Sequence, residues 1–385
     1  MGDSTAMSRV PARAEIVVDV AAIRRNVRLL KAHSGTALMT VVKADGYGHG
    51  MVEAARAARE GGADWLGVAT LEEAVALRAA GDSGRILFWL TVPGEDYATA
   101  IAHDLDITVS STQALDEVVA AGADRPARVQ IKVDTGLHRN GAVRADWHDL
   151  FIAAADHERE DRIRVTGIWS HFASSDEPDD PANAAQEAVF EEALGLAADA
   201  GLKPEVRHLA NSAAAILRPS ARFDLVRVGI ASYGLDPAPG HTPDMGLVPA
   251  MTVRATLALV KPVAAGESVS YGHTWTAERD TSVGLVPVGY GEGLPRSGSN
   301  RGQVSLDGVR RPVRGRICMD QFMIDLDGAP AAAGDDVTIF GNGHAGEPTA
   351  QDWAEACGTI SYEIVTRMGG RMVRTYVDSD REEVS

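Results

Sequence analysis

Only five of the 37 basic residues are lysines (Lys31, Lys43, Lys132, Lys203 and Lys261), so each one's position is informative. Arginine stays protonated and cannot condense with a carbonyl, whereas a desolvated lysine amine loses its proton near neutrality and becomes a nucleophile and then a base. Codon usage in a GC-rich genome accounts for the scarcity itself; placement carries the argument. Lys43 closes an apolar run and precedes a flexible Gly-rich turn, Ala44-Asp45-Gly46-Tyr47-Gly48-His49-Gly50. Lys132 closes another run and is followed by Asp134-Thr135-Gly136-Leu137-His138-Arg139. Further runs end in Trp169-Ser170-His171, in His208-Leu209-Ala210-Asn211-Ser212 and in Arg227-Val228-Gly229-Ile230.

These residues need a frame that brings strand ends together. Apolar runs over 38–43, 65–69, 86–90, 107–110, 129–133, 165–169, 206–209 and 225–230 alternate with helical stretches such as Met51–Glu60 and 182–200. The gap 135–164 is the least regular. Strict β–α alternation implies a parallel sheet, and eight units over about 210 residues predict a closed (β/α)8 TIM barrel. A lone β segment at 14–20 precedes it and is expected to associate with the C-terminal domain. From about 246 the texture becomes Val-, Gly- and Pro-rich, with runs at 252–260, 281–289, 304–306, 316–324 and 336–340 and almost no helical periodicity. This predicts a mostly antiparallel β domain over 246–385 after a barrel domain over 1–245, with the linker at 236–243. The acidic tail 378–383 reads as solvated and frayed.

In a parallel barrel the reactive groups gather at the C-terminal strand ends, and turns after the seventh and eighth strands commonly hold a phosphate. Ser212, Gly229 and Ile230 fit that task. Taken singly, Ser212 could equally be a helix cap and Gly229 a point of close packing. A phosphate site facing a strand-end lysine suggests a phosphorylated aldehyde held as a Schiff base, and pyridoxal phosphate is the commonest such cofactor.

Composition narrows the field. A net charge of −17 with no basic stripe argues against nucleic-acid binding. No apolar run approaches a bilayer span, and two cysteines, Cys318 and Cys357, suit a reducing cytoplasm. Met1-Gly2-Asp3 resembles an acylation start, but Ala6 stands where Ser or Thr is required. Gly341-Asn342-Gly343-His344-Ala345-Gly346 spells G-x-G-x-x-G, yet Glu347-Pro348 follows at once and too little chain remains for a dinucleotide fold, so it reads as a loop. The histidines have no metal-ligand spacing, and no metal is expected. Trp65, Trp89 and Trp169 read as core or pocket wall.

The run Val42-Lys43-Ala44-Asp45-Gly46-Tyr47-Gly48-His49-Gly50, with the His208 and Arg227 runs and Ser270-Tyr271-Gly272, resembles bacterial pyridoxal-phosphate-dependent alanine racemases, over nearly the whole chain. That resemblance implies an isomerase that interconverts L- and D-alanine and supplies D-alanine for peptidoglycan. It makes Lys43 the Schiff-base lysine and one base and Tyr271 the second base. Inversion needs two, because a single base tends to return the proton to the face it left. Tyrosine ordinarily titrates near 10, so the role requires a phenolate held by cations or hydrogen bonds. By the same resemblance Arg227 faces the pyridine nitrogen, with His171 and His208 bonded around it. Tyr47, Ser212, Gly229, Ile230 and Tyr362 hold the phosphate, and Asn211 belongs to the cofactor-binding set. Arg139 meets the cofactor's phenolic oxygen and the substrate carboxylate, Met319 contacts the substrate through its main chain, and Lys132 is a lysine able to carry a carbamate that buttresses Arg139. The resemblance further implies a homodimer whose chains share their sites, Tyr271 and Met319 coming from the partner. A racemase of serine or another small amino acid, and a decarboxylase of basic amino acids, are the enzymatic alternatives; the latter family places Glu where Arg227 lies. A non-catalytic pyridoxal-phosphate binder would lack the β domain, and a cofactor-free aldolase would leave Arg227 and Ser212 without a shared task.

Overall fold

The alternating pattern becomes strands and helices in a computed structural model that describes residues 13–122 and 125–382. The acylation-like start, Ala6 included, lies outside the described residues. Strand β1 (Ala14–Asp19) alternates buried and half-buried positions, and helix Val20–Ser34 follows it. Eight parallel strands come next: β2 (Ala37–Val41), β3 (Trp65–Val68), β4 (Arg85–Phe88), β5 (Asp106–Val109), β6 (Ala127–Lys132), β7 (Ile163–Trp169), β8 (Val206–His208) and β9 (Leu225–Val228). They stand in the order β8-β7-β6-β5-β4-β3-β2-β9. Asp224 N–H and Arg227 N–H donate to the Arg207 and Ala210 carbonyls at 3.1 and 3.0 Å, which ties β9 back to β8 and nearly closes the barrel. The expected TIM-like barrel is present. The gap 135–164 holds a 3-10 turn, Arg144–Asp146, and helix Trp147–Arg159.

The barrel is filled in layers, as its geometry requires. Met39, Trp65, Leu87, Trp169 and Leu225 form one apolar cluster. Beside this cluster, at the register position facing Leu87, the buried Asp106 accepts from Arg85 Nη2 at 2.8 Å, Arg128 Nε at 3.2 Å and Thr166 Oγ1 at 2.6 Å. A carboxylate in a barrel interior needs that set of donors.

Ten further strands follow: β10 (Met251–Thr256), β11 (Leu259–Val263), β12 (Ser268–Val269), β13 (Trp275–Thr276), β14 (Thr281–Val286), β15 (Gln303–Leu306), β16 (Val309–Arg314), β17 (Phe322–Asp325), β18 (Asp336–Phe340) and β19 (Val373–Val377). Nine strands, β1 among them, make one mostly antiparallel sheet, in the order β11-β14-β17-β16-β15-β18-β10-β1-β19. By contacts the described residues divide into Ala21–Val248 and a second unit that joins those up to Val20 with those from Pro249 onward. Asn26 holds the end of the first unit, accepting from Val248 N–H and donating to the Val248 carbonyl, each at 2.9 Å.

Several local expectations for this unit are corrected. The run 252–260 breaks into β10 and β11. The run 316–324 is strand only from Phe322, because the Cys318 and Met319 carbonyls accept from Tyr290 and Gly291 N–H instead of a ladder partner. Two helices, Ala350–Cys357 and Ser361–Arg367, occupy a stretch expected to hold almost none. Residues Ser379–Glu382 form a helical turn rather than a frayed tail, tied down where the Ser379 hydroxyl donates to Asp19 at 2.7 Å. The Gly341–Gly346 stretch is a loop, its Gly343 and Ala345 N–H groups donating to the Glu347 carboxylate. Among the described residues no helix is long and apolar enough to cross a membrane.

Candidate active site

Lys43 stands just past the end of β2, and the turn after it is locked by hydrogen bonds. Ala44, Asp45, Gly46 and Tyr47 all take left-handed backbone angles, φ 53°, 54°, 62° and 54°. Such angles cost a non-glycine residue roughly 1–2 kcal/mol, so the turn persists only because its surroundings determine it. The Glu73 carboxylate accepts from Ala44 N–H at 2.7 Å and Asp45 accepts from Met51 N–H at 2.9 Å. Lys43 Nζ lies 5.6 Å from the centre of a Trp89 ring. Burial, with the charges of Arg139 and Arg227, holds this amine below its ordinary value against the opposing pull of Glu73. Glu73 was not among the expected site residues. Its signal was Thr70-x-x-Glu73, the capping box that opens helix Leu71–Ala79.

Arg227 is buried at the centre of the strand ends. Its Nη1 donates to His208 Nδ1 at 3.0 Å and its Nη2 to the Ser170 carbonyl at 2.7 Å and to His171 Nδ1 at 3.0 Å. An arginine can only donate, so both Nδ1 atoms accept and neither ring carries a proton there. Burial and then the charge of Arg227 push both imidazoles well below their ordinary range. His208 stacks on Trp169 with ring centres 5.5 Å apart, and its Nε2 meets Gln130 Oε1 at 2.7 Å. Among the described residues no carboxylate touches Arg227, and burial lowers its guanidinium to about 9, still protonated at neutral pH.

Lys132 ends β6 over the same tryptophan, Nζ 4.4 Å from the ring centre. Burial, then the charges of Arg227 and Arg139, bring its amine down to about 7. Arg139 itself is exposed, in a loop where Asp134 accepts from Gly136 and His138 N–H. Lys43, Lys132, Arg139 and Arg227 thus act on one another electrostatically, an arrangement that favours an anion.

The turns expected to hold phosphate converge as well. Asn211 caps helix Ser212–Leu217, accepting from Ala214 N–H at 3.1 Å and from the Ser175 hydroxyl at 2.8 Å. Ser212 Oγ accepts from Gly229 N–H at 2.9 Å. A Cβ on Gly229 would fall 2.4 Å from Tyr47 Oη, so only glycine lets that phenol reach the turn. Ile230, buried, opens the 3-10 turn that follows β9.

Tyr271, Met319 and Tyr362 belong to the second unit. Tyr271 is 72% exposed and Met319 55%. Tyr271 sits between Ser270 at φ 66° and Gly272 at φ 71°, with the Ser270 hydroxyl donating to the Arg316 carbonyl at 2.8 Å. Tyr362 lies in helix Ser361–Arg367.

The family model described as alanine racemase, N-terminal domain, matches residues 18–237, and that for the C-terminal domain matches residues 250–376. The alanine racemase of Salinispora arenicola is 53% identical over 371 residues, 96% of this chain and 99% of that protein. The crystal structure of alanine racemase from the D-cycloserine producer Streptomyces lavendulae is similar with a TM-score of 0.94 at 52% identity, covering 96% of this chain and 98% of that one. The Bacillus anthracis enzyme, solved with bound L-Ala-P, is similar with a TM-score of 0.87 at 32% identity, covering 96% of each chain.

Proposed function

The chain belongs to the alanine racemase family, an isomerase by that membership, and we propose from this premise that it interconverts L- and D-alanine with Lys43 and Tyr271 as its two bases and pyridoxal 5′-phosphate as its cofactor. The observation that carries the cofactor reading is the convergence of a desolvated strand-end amine with a glycine cradle against Tyr47 and a set of cations. When bound, pyridoxal phosphate supplies an electron sink for the charge left as the Cα proton departs. Ser212 already accepts the Gly229 N–H, so its own hydroxyl proton would be free to hold the phosphate, a task that the family resemblance gives also to Tyr47, Gly229, Ile230 and Tyr362. Asn211 holds the start of that helix.

Lys43 holds or takes the Cα proton on one face of the substrate, and Tyr271 does so on the other. Arg139 and the Met319 main chain orient the substrate carboxylate. Arg227, kept cationic between two neutral histidines, offers a ring nitrogen a hydrogen-bond donor that does not give up its proton. That favours reprotonation at Cα over transfer elsewhere. Replacing Arg227 with glutamate is therefore expected to raise the share of turnover lost to transamination, measured as keto-acid formed per racemisation event; an unchanged ratio would remove this role.

The exposure of Tyr271 and Met319 in the single chain supports a homodimer in which each chain lends these two residues to its partner's site. The reading places the enzyme in the cytoplasm, supplying D-alanine for peptidoglycan. It is tested by reducing the cofactor-loaded protein with borohydride and mapping the modified peptide. Label on Lys43 is expected, and label elsewhere overturns the assignment.

Lys132, with its amine near 7, is the side chain suited to take up CO2 as a carbamate that would buttress Arg139. Only the neutral amine reacts, so the carbamate should be present above about 7 and fade as pH falls through that value. A carbonyl resonance from 13C-enriched bicarbonate that is lost in Lys132→Arg would establish it, and one that persists in Lys132→Arg would place it elsewhere.

A further inference from the structure

Deeper in the barrel, beneath Arg227, three features converge on one side chain. Between β6 and β7 the register slips: Val129 faces Val165 but Gln130 faces Gly167, so Thr166 is the extra residue of a bulge. Bulges re-aim side chains at functional places. The Gln130 side chain lies across Gly167, where a Cβ would meet Gln130 Cδ and Oε1 at 2.7 Å each. Gln130 is fully buried, and its Nε2 has no hydrogen-bond partner among the described residues. A buried amide donor left unmet is costly, and methionine of similar size would escape that cost. What methionine cannot supply is the oxygen that faces His208 Nε2 at 2.7 Å.

Two neighbours share the fixing of the His208 proton, Arg227 at Nδ1 and Gln130 at Nε2. Arg227 Nη1 donates to His208 Nδ1, so that atom is an acceptor. The neutral ring must then carry its proton on Nε2, and Nε2–H needs an acceptor. Trp169, stacked at 6° to the imidazole, fixes the plane of the ring but not the side that bears the proton.

We propose that Gln130 is a positioning residue for the isomerisation: by accepting the hydrogen bond from Nε2–H it locks the His208 tautomer and so keeps Arg227 aimed across the strand ends. This rests on the reading that Arg227 faces the cofactor's ring nitrogen. The full chain labelled with 15N-histidine, with and without pyridoxal phosphate, reports the tautomer directly. In the native protein His208 is expected as the Nε2–H form. Gln130→Met removes the acceptor, and Gly167→Ala displaces the amide without altering its chemistry. Each is expected to give a mixture of tautomers, a kcat about tenfold lower, the loss of one buried hydrogen bond, and a larger transamination share, with little change in KM for alanine. Gln130→Glu keeps an acceptor and should keep both the tautomer and most of kcat. An unchanged His208 signal in folded Gln130→Met and Gly167→Ala overturns the proposal. If the tautomer shifts while kcat and the transamination share stay native, the positioning role falls and the fault lies with the Arg227 reading, which Arg227→Glu tests separately. Should Gln130→Met fail to fold, Gly167→Ala decides alone.

Discussion

Lys43→Arg should abolish isomerisation, lowering kcat/KM on the order of 10,000-fold, while leaving a folded chain. The substitution keeps a long apolar stem, so the packing around Trp89 changes little. What disappears is the chemistry, because a guanidinium neither captures a carbonyl nor releases a proton at neutral pH. The native site does the opposite: burial and the nearby charges of Arg139 and Arg227 favour the neutral amine, with Glu73 restraining the shift. The result is checked by coupled D-alanine assay and by the visible spectrum after adding cofactor. Lys43→Ala should behave alike and regain part of its activity with a small primary amine. A Lys43→Arg enzyme that retained even a hundredth of native activity would sink the assignment.

Tyr271→Phe is expected to cost roughly 1,000-fold in both directions at once, within the range general acid–base groups supply, while cofactor binding persists. Each direction needs one base to remove the Cα proton and the other to return it from the opposite face. Removing either blocks inversion but not exchange. In deuterated water the variant should therefore still wash deuterium into one enantiomer of alanine and scarcely into the other. Equal incorporation into both would show that the tyrosine is not a base. The Ser270 conformation adds to the case: a serine at positive φ, pinned through its hydroxyl to the Arg316 carbonyl, presents the phenol on a turn of fixed shape.

The barrel was legible because its strands are buried on both faces and so stand out as unbroken apolar runs. The gathering of Lys43, Lys132, His208 and Arg227 was legible because the fold puts strand ends together, so that reading the ends of runs was already reading which side chains meet. The second unit was harder for definable reasons. The hairpin β15–β16 turns at Asp307-Gly308, both at positive φ, a signal present in the sequence but followed by Arg310 and Arg311, which mask the strand. Helix Ala350–Cys357 announces itself only through the Thr349–Asp352 capping box. The strand expected over 316–324 fails because the Cys318 and Met319 carbonyls are taken by the Tyr290 and Gly291 N–H groups. Gln130 was invisible, since its position depends on a register slip that no local pattern encodes.

The few lysines also set what amine-directed chemistry can do to this protein. Lys31 is engaged with the Gly62 carbonyl and Asp64, and Lys43 and Lys132 lie in the barrel. That leaves Lys203, just beyond helix Pro181–Asp199, and Lys261, on β11, as the exposed side-chain amines, one in each unit. Lysine-directed coupling to a resin or a dye would then concentrate at two side chains in well-separated stretches of sequence, where a lysine-rich protein would be attached at many.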